Sequence, residues 1–456
     1  MLVIVLHVLI LWAAPFTSRY PTAPSIWVLV AFLAIFLLCA KGMIGLSARK
    51  PKGIPALPVM QDQVFGDRRL RAFLLLASLA GIALHVWSKY YLTEVRSISC
   101  FSEIRFVWLE VDRSLLPFHI RLASILGHLL TSFAYLGMLS TSYTMSRAGS
   151  VWEVSRSDIA LQLFFTLVGA LYAGFIGSRN AMLAFLAMNL IGLVASLGSS
   201  TAGEKAARRW RVALVVLAMP IVGMVAFSSA VFSDRIFCSK PGVLVKLKEN
   251  DLSAGKIAAN YMTGYYHEFV LQARPMDDGG AWREKLFVEM CPVCGPTMVY
   301  LNHGIFNLSR ALAGEERGDP ILLNFIAEWG RRIGLDVGME RKTGARVYGP
   351  GGITLAGAAL HDYGGFGLTL TAAVLGMLFG KSICWMQSTG VRVLVGVWLF
   401  SCLFYVLFLS NMFVGFSVLP FPFIAFGIGA GLLVWMFMSR VPLGRHRDSA
   451  RPLHFS

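Results

Sequence analysis

Apolar runs close to twenty residues long recur through this chain, at 26–46, 72–92, 118–145, 159–177, 181–198, 212–232, 366–383, 393–410 and 421–438, with a shorter one at 1–15. About twenty such residues are what a helix needs to cross a bilayer. These runs predict an all-α polytopic bundle of about ten spans. The first run lacks a basic leader and a small-residue cleavage site, so it is read as a retained span instead of a removed signal peptide.

Composition agrees. Of 456 residues, 56% are hydrophobic and 14% charged, and the mean hydropathy of +0.65 exceeds what a soluble core of this length requires. The formal charge of +16 suggests nucleic acid at first sight, but the excess lies in short segments between apolar runs. That is an orientation signal and not a groove-binding surface. No nucleic-acid partner is expected.

With the N-terminus inside, segments 47–71, 146–158, 199–211, 381–392 and 439–456 are cytoplasmic. They hold the strongest basic clusters, including Arg49, Lys50, Lys52, Arg68, Arg69 and Arg71, then Lys205, Arg208, Arg209 and Arg211, and Arg440, Arg445, Arg447 and Arg451 in the tail. Both termini are then cytoplasmic. The opposite face receives 93–117, the Ser178-Arg179-Asn180 link and the long segment 233–352. That segment is nearly neutral, with 15 basic and 14 acidic residues, and reads as an ordered cap. The plan is therefore seven spans over 1–232, a large extracytoplasmic loop over 233–352, and three spans with a basic tail over 353–456. Within the loop, Asp319-Pro320 starts a helical pattern in which Ile321, Leu322, Phe325, Ile326, Trp329 and Ile333 recur, suited to lying along the membrane surface. No internal repeat or heptad series is visible.

This topology puts Cys100, Cys238, Cys291 and Cys294 outside, Cys39 and Cys402 in spans and Cys384 inside. Four external cysteines fit disulfides in an oxidising compartment, with three connectivities open. Cys291-Pro-Val-Cys294 has redox or zinc spacing but no second ligand pair or thioredoxin-like context.

Residues that could carry chemistry gather at the outer boundary. Arg179 lies between two spans with almost no loop around it, beside the N-cap types Ser178 and Asn180. A helix start with an adjacent guanidinium suits phosphate or pyrophosphate; the plainer reading is an arginine snorkelling to lipid headgroups. The stretch Tyr300-Leu301-Asn302-His303-Gly304-Ile305-Phe306-Asn307-Leu308-Ser309-Arg310 mixes aromatic and polar groups, with Tyr300, Asn302 and His303 able to hold sugar hydroxyls, or else to form an aromatic belt. Asn307-Leu308-Ser309 also reads as a glycosylation sequon. A third segment runs from Tyr348 to Gly367, its glycines permitting close backbone approach or a re-entrant turn. In it His361 and Asp362 supply a general base or simply cap the next helix. Arg310, Arg331, Arg332, Arg341, Lys342 and Arg346 form a pool of cations for an anionic substrate, each singly a solvated charge as well. His85 and His128 lie inside spans, where ionisable groups hint at function; a hydrogen-bonded neutral histidine is the simpler account.

Three of these segments together resemble the O-antigen polymerase family (Wzy-type repeat-unit or exopolysaccharide polymerases): Gly177-Ser178-Arg179-Asn180 at a span start, Tyr300 to Arg310, and Gly351 to Gly367 before the eighth span. The resemblance implies a bundle with a large periplasmic loop in a bacterial inner membrane, and a glycan donor carried on undecaprenyl pyrophosphate. It implies transfer of the growing chain to a hydroxyl of the next unit, with no nucleotide-sugar, no cofactor and no metal. Arg179, Arg310, Arg331 and Arg346 would hold pyrophosphate, and His361 or Asp362 would stand near the sugars. The family's acidic-Phe-Gly pattern reads Asp362-Tyr363-Gly364 here. Implied partners are the lipid-linked oligosaccharide, membrane lipids, a chain-length regulator and a flippase.

Two other classes stay open. An O-antigen ligase has a similar bundle and the same kind of donor, and His361 followed by Gly364, Gly365 and Gly367 fits it. A polysaccharide transporter or flippase, a non-enzyme, would show charged residues or broken helices at mid-membrane. Glycosyltransferases with a catalytic acid in the first external loop fit less well, because residues 16–25 contain no Asp or Glu.

Overall fold

A computed structural model describes residues 16–18, 21–48, 63–96, 117–147, 154–176, 179–198, 215–218, 220–223, 226, 273–275, 304–313, 354–386, 388, 391–407 and 420–439. The expected span at 1–15, most of the span at 212–232, most of the 233–352 loop with its helix at 321–333, and the four external cysteines lie outside the described residues. Cys39, Cys384 and Cys402 are free thiols.

The described regular structure is helical apart from one ribbon. Strand β1 (Phe16–Ser18) pairs antiparallel with β2 (Ala273–Pro275), Thr17 opposite Arg274. The helices are α1 (Ala23–Ala48), α2 (Arg68–Arg96), α3 (Phe118–Thr131), α4 (Phe133–Ser146), α5 (Arg156–Ile176), α6 (Arg179–Gly198), α7 (304–312), α8 (Leu355–Met386), α9 (Val391–Tyr405) and α10 (Pro420–Ser439). Among the described residues five helices are long and apolar enough to cross a membrane: Ala23–Ser47, Arg68–Tyr91, Phe118–Ser146 across the α3–α4 joint, Leu355–Met386 and Phe421–Ser439. Shorter apolar helices cover Ala181–Ser196 and Val391–Tyr405. The molecule is a helical membrane protein.

The α3–α4 joint refines the single run expected at 118–145. At Ser132 the ladder shortens, Ser132 N donating to the His128 carbonyl and Tyr135 N to the Ser132 carbonyl, both at 3.1 Å. The Ser132 carbonyl faces Gly427 of α10, where any added Cβ would collide with it. Glycine therefore lets α10 approach backbone to backbone.

Helix α4 forms the centre of the bundle. All its residues except Thr144 are buried, which explains how a helix carrying Ser140, Thr141, Ser142, Thr144 and Ser146 sits in an apolar protein. None of those hydroxyls needs to meet lipid, because each finds a partner inside the bundle. Ser146 donates to the Ser142 carbonyl at 2.6 Å, Thr144 to the Ser140 carbonyl at 3.1 Å and Ser140 to the Phe65 carbonyl at 2.8 Å. Thr141 donates to the Gln162 amide oxygen at 2.7 Å.

Two clusters hold most of the apolar packing among the described residues, beside a small one of Met145, Leu193 and Val216. The larger takes Leu70 and Leu74 from α2, Phe133 to Tyr143 from α4, Phe165 and Tyr172 from α5, Met182, Phe185 and Met188 from α6, and Ile424, Ile428 and Trp435 from α10. The smaller joins α1 (Leu29, Phe32, Phe36), α7 (Ile305, Leu308), the start of α8 (Leu355, Ala356, Ala358) and Leu403 and Leu407 at the end of α9. Between lipid-immersed helices the apolar effect supplies little attraction, so close van der Waals contact must. On α8, Ala372, Gly376 and Gly380 repeat every fourth residue. A Cβ on Gly380 would lie 2.5 Å from the Ala40 carbonyl, and one on Gly376 would strike the Phe36 carbonyl.

The two ends of the bundle differ in charge. At one end Arg71 pairs with Asp158, close in sequence to Arg68, Arg69 and Arg156. Ser155 caps α5 there, accepting from Asp158 N at 3.1 Å and donating to the Asp158 carboxylate at 2.9 Å. Lys381 and Arg392, at the α8–α9 turn, follow the same alternation of helix direction. The opposite end holds the start of α8, the end of α9 and the start of α10.

Candidate functional site

The end of the bundle opposite Arg71 and Asp158 gathers two of the segments singled out from sequence. Helix α7, GIFNLSRAL, buries Ile305, Phe306, Asn307, Leu308 and Ser309 and shares its cluster with the first turn of α8. It packs against α1, the start of α8 and the end of α9. The Ser309 hydroxyl bonds the Ser25 hydroxyl at the start of α1, 2.7 Å away, a buried contact. Arg310 follows directly, partly buried at the end of this helix.

Thr354 starts α8 by capping it. Its hydroxyl accepts from Gly357 N at 3.0 Å and its carbonyl from Ala358 N at 2.8 Å, which satisfies two donors that a helix start leaves over. Ten residues after Thr354 the helix breaks. Gly364 takes φ 62°, ψ −155°, a region that essentially only glycine occupies. Past the break the chain folds back, since a Cβ on Gly367 would lie 2.6 Å from the Ala359 carbonyl and press on Tyr363. Helix α8 is thus a short segment, 355–363, and a longer one from 365 to 386. The longer one rises about 33 Å at 1.5 Å per residue, enough to cross the apolar layer, and it contains the run expected at 366–383.

His361 and Asp362 occupy the end of the short segment, immediately before the break. Their side chains are 7% and 0% exposed, with His361 Nδ1 2.9 Å from Asp362 Oδ1. A carboxylate accepting from Nδ1–H fixes the tautomer that keeps the lone pair on Nε2. Beside this pair, Tyr363 and Phe366 are exposed. Among the described residues no group of three His, Cys, Asp or Glu side chains could hold a metal ion.

The other proposed ligands divide. Arg179 is the first residue of α6, a helix whose buried face belongs to the larger cluster and not to that of α7 and the α8 start. Tyr300, Asn302, His303, Arg331 and Arg346 lie outside the described residues.

A second polar group stands toward the same end within the larger cluster. His128 Nδ1 lies 3.0 Å from the Tyr172 hydroxyl, and the His85 ring meets His128 edge-on with centroids 4.5 Å apart. Phe423 of α10 stacks on His128 at 5.0 Å. Lys89, one turn beyond His85, is buried as well. Sequence marked each histidine for its position in a span; their partnership with Tyr172 was not visible there.

No family model, curated protein or solved structure matches the chain.

Proposed function

We propose that this chain is a membrane glycosyltransferase of the O-antigen polymerase type, joining oligosaccharide repeat units carried on lipid pyrophosphate at the periplasmic face of a bacterial inner membrane. The observation that carries the reading is the convergence of α7 with the broken start of α8, which brings Arg310 and the buried His361–Asp362 pair to the end of the bundle away from Arg68, Arg69 and Arg71. Basic residues favour the cytoplasmic side, so that end faces outward.

In the reaction an acceptor hydroxyl attacks the anomeric carbon of the donor. Its proton passes to His361 Nε2 while Asp362 holds the ring and offsets the imidazolium charge. The bond between the anomeric carbon and the pyrophosphate oxygen breaks, and the electron pair leaves with the lipid pyrophosphate. Arg310 with Arg179, Arg331 and Arg346 neutralises that departing charge. Tyr300, Asn302 and His303 bind sugar hydroxyls. An Asp362→Asn change is expected to leave the fold intact and slow chain growth by about 10²–10⁴-fold.

The decisive experiment is surface glycan analysis of a deletion strain complemented with wild type, His361→Asn or Arg310→Ala. A polymerase leaves single repeat units on the surface when it is lost. Loss of all surface glycan with lipid-linked polymer accumulating would mark a ligase, and accumulation on the cytoplasmic leaflet a flippase.

A further inference from the structure

We propose that Ser25 is a positioning residue for Arg310: its bond to Ser309 fixes the rotation of α7, and with it the direction from which the Arg310 guanidinium meets the pyrophosphate of the donor. The proposal rests on the reading of Arg310 given above and adds the group that aims it.

Helix α7 covers only residues 304–312. Isolated helices shorter than about 12–15 residues are marginal in water, so its placement is decided by what it packs against. Ile305 and Leu308 give it an apolar seat on α1 and the start of α8. Apolar contact has no preferred direction, and by itself leaves a short helix room to roll.

The hydroxyl pair supplies the direction. Ser25 is fully buried and Ser309 is 2% exposed, with their oxygens 2.7 Å apart. Ser309 already donates its proton to the Ile305 carbonyl one turn back, at 2.9 Å, so between the two serines Ser25 donates and Ser309 accepts. Ser25 stands in the first turn of α1, the helix seated on α8 through Gly376 and Gly380. One helix thus registers α7, which carries Arg310, against α8, which carries His361 and Asp362.

Arg310 follows Ser309 by one residue, about 100° further round the helix, beside the buried Phe306 and Asn307. Side-chain ends lie about 5–6 Å from a helix axis, so a roll of about 10° carries one by about 1 Å. That displacement takes a charge-assisted hydrogen bond of about 2.8 Å out of its useful range.

The test measures binding of inorganic pyrophosphate by calorimetry to the full-length protein in lipid, for wild type, Ser25→Ala, Arg310→Ala and the double variant. Ser25→Ala leaves no orphaned donor, because the Ser309 proton stays with Ile305, and the fold is expected to persist. Each single variant is expected to weaken binding by about tenfold, the size of one misaligned charge-assisted bond. The double variant should bind no more weakly than Arg310→Ala alone, since without the guanidinium nothing is left to aim. Additive losses overturn the proposal, because Ser25 then acts elsewhere. So does wild-type binding by Ser25→Ala beside weakened binding by Arg310→Ala, a result that leaves the pyrophosphate reading standing. No binding by the wild type, or undiminished binding by Arg310→Ala, overturns that reading and this proposal together. Ser309→Ala severs the same bond from the α7 side with the same expectation, and it decides if Ser25→Ala fails to fold.

Discussion

Replacing Gly380 by alanine sets two known effects against each other. Alanine is the better helix former by about 1 kcal/mol, so an unconstrained site would gain stability. At Gly380 the new Cβ would stand 2.5 Å from the Ala40 carbonyl oxygen, 2.9 Å from Met43 Cβ and 3.1 Å from Ala40 Cα. The first and last are backbone atoms and cannot rotate aside. Ordinary contact begins near 3.4 Å, so α1 must retreat by about 0.9 Å along that direction, and a gap of 0.5–1 Å forfeits a quarter to a half of each dispersion contact nearby. Overpacking of this kind costs about 1–3 kcal/mol, which exceeds the propensity gain. Gly380→Ala is therefore expected to be net destabilising by up to about 2 kcal/mol, read by unfolding in graded SDS. Adding Gly376→Ala should cost less than the sum of the two singles, because one retreat of α1 relieves both collisions. Gly42, on α1, is the control: nothing lies within 4 Å of its added Cβ, so Gly42→Ala should stabilise by about 0.5–1 kcal/mol. Stabilisation by Gly380→Ala equal to that of Gly42→Ala would refute close α1–α8 packing.

Gly364→Ala meets no atom within 4 Å, so its whole penalty is the backbone conformation, about 1–3 kcal/mol; a Tm equal to wild type would show that α8 runs straight through. Arg71→Ala should cost about 1.5–3 kcal/mol, because it leaves the Asp158 carboxylate partly buried without its guanidinium. An Arg71→Asp, Asp158→Arg exchange should recover part of that loss, and no recovery in unfolding experiments would mean the pair is incidental. Gly427→Ala should destabilise more than Gly429→Ala, since the first meets the Ser132 backbone and the second only the Trp398 ring at 3.2 Å.

Length and apolarity made the five long apolar helices legible, because a bilayer imposes one demand on every crossing helix. The starts and ends of α1, α2, α5, α6 and α10 fall close to the expected runs. What periodicity did not resolve was interruption. Ser132 is compatible with a continuous helix, and its apolar sequence context does not show that the hydrogen-bond ladder shortens there. The Gly364 break was half legible: glycines clustered after His361 and Asp362 allowed a re-entrant turn, yet nothing local said which glycine would adopt a positive φ. The burial of helix α7 was not legible, since its mixed apolar and polar letters read equally as an aromatic belt. Its burial is decided by α1 and α8, far away in the chain. The same holds for Tyr172, which looks like an ordinary aromatic residue until three helices bring it beside the two histidines.

The bond between Ser25 and Ser309 joins residues 284 positions apart, and the glycines that receive α1 lie later still, on α8. During synthesis α1 therefore enters the bilayer long before its partner is made. Through that interval its packing face has only acyl chains or insertion machinery for company. Any chain cut short before α8 should keep α1 as a loose, extractable helix, while the α2–α6 portion has most of its own contacts already encoded.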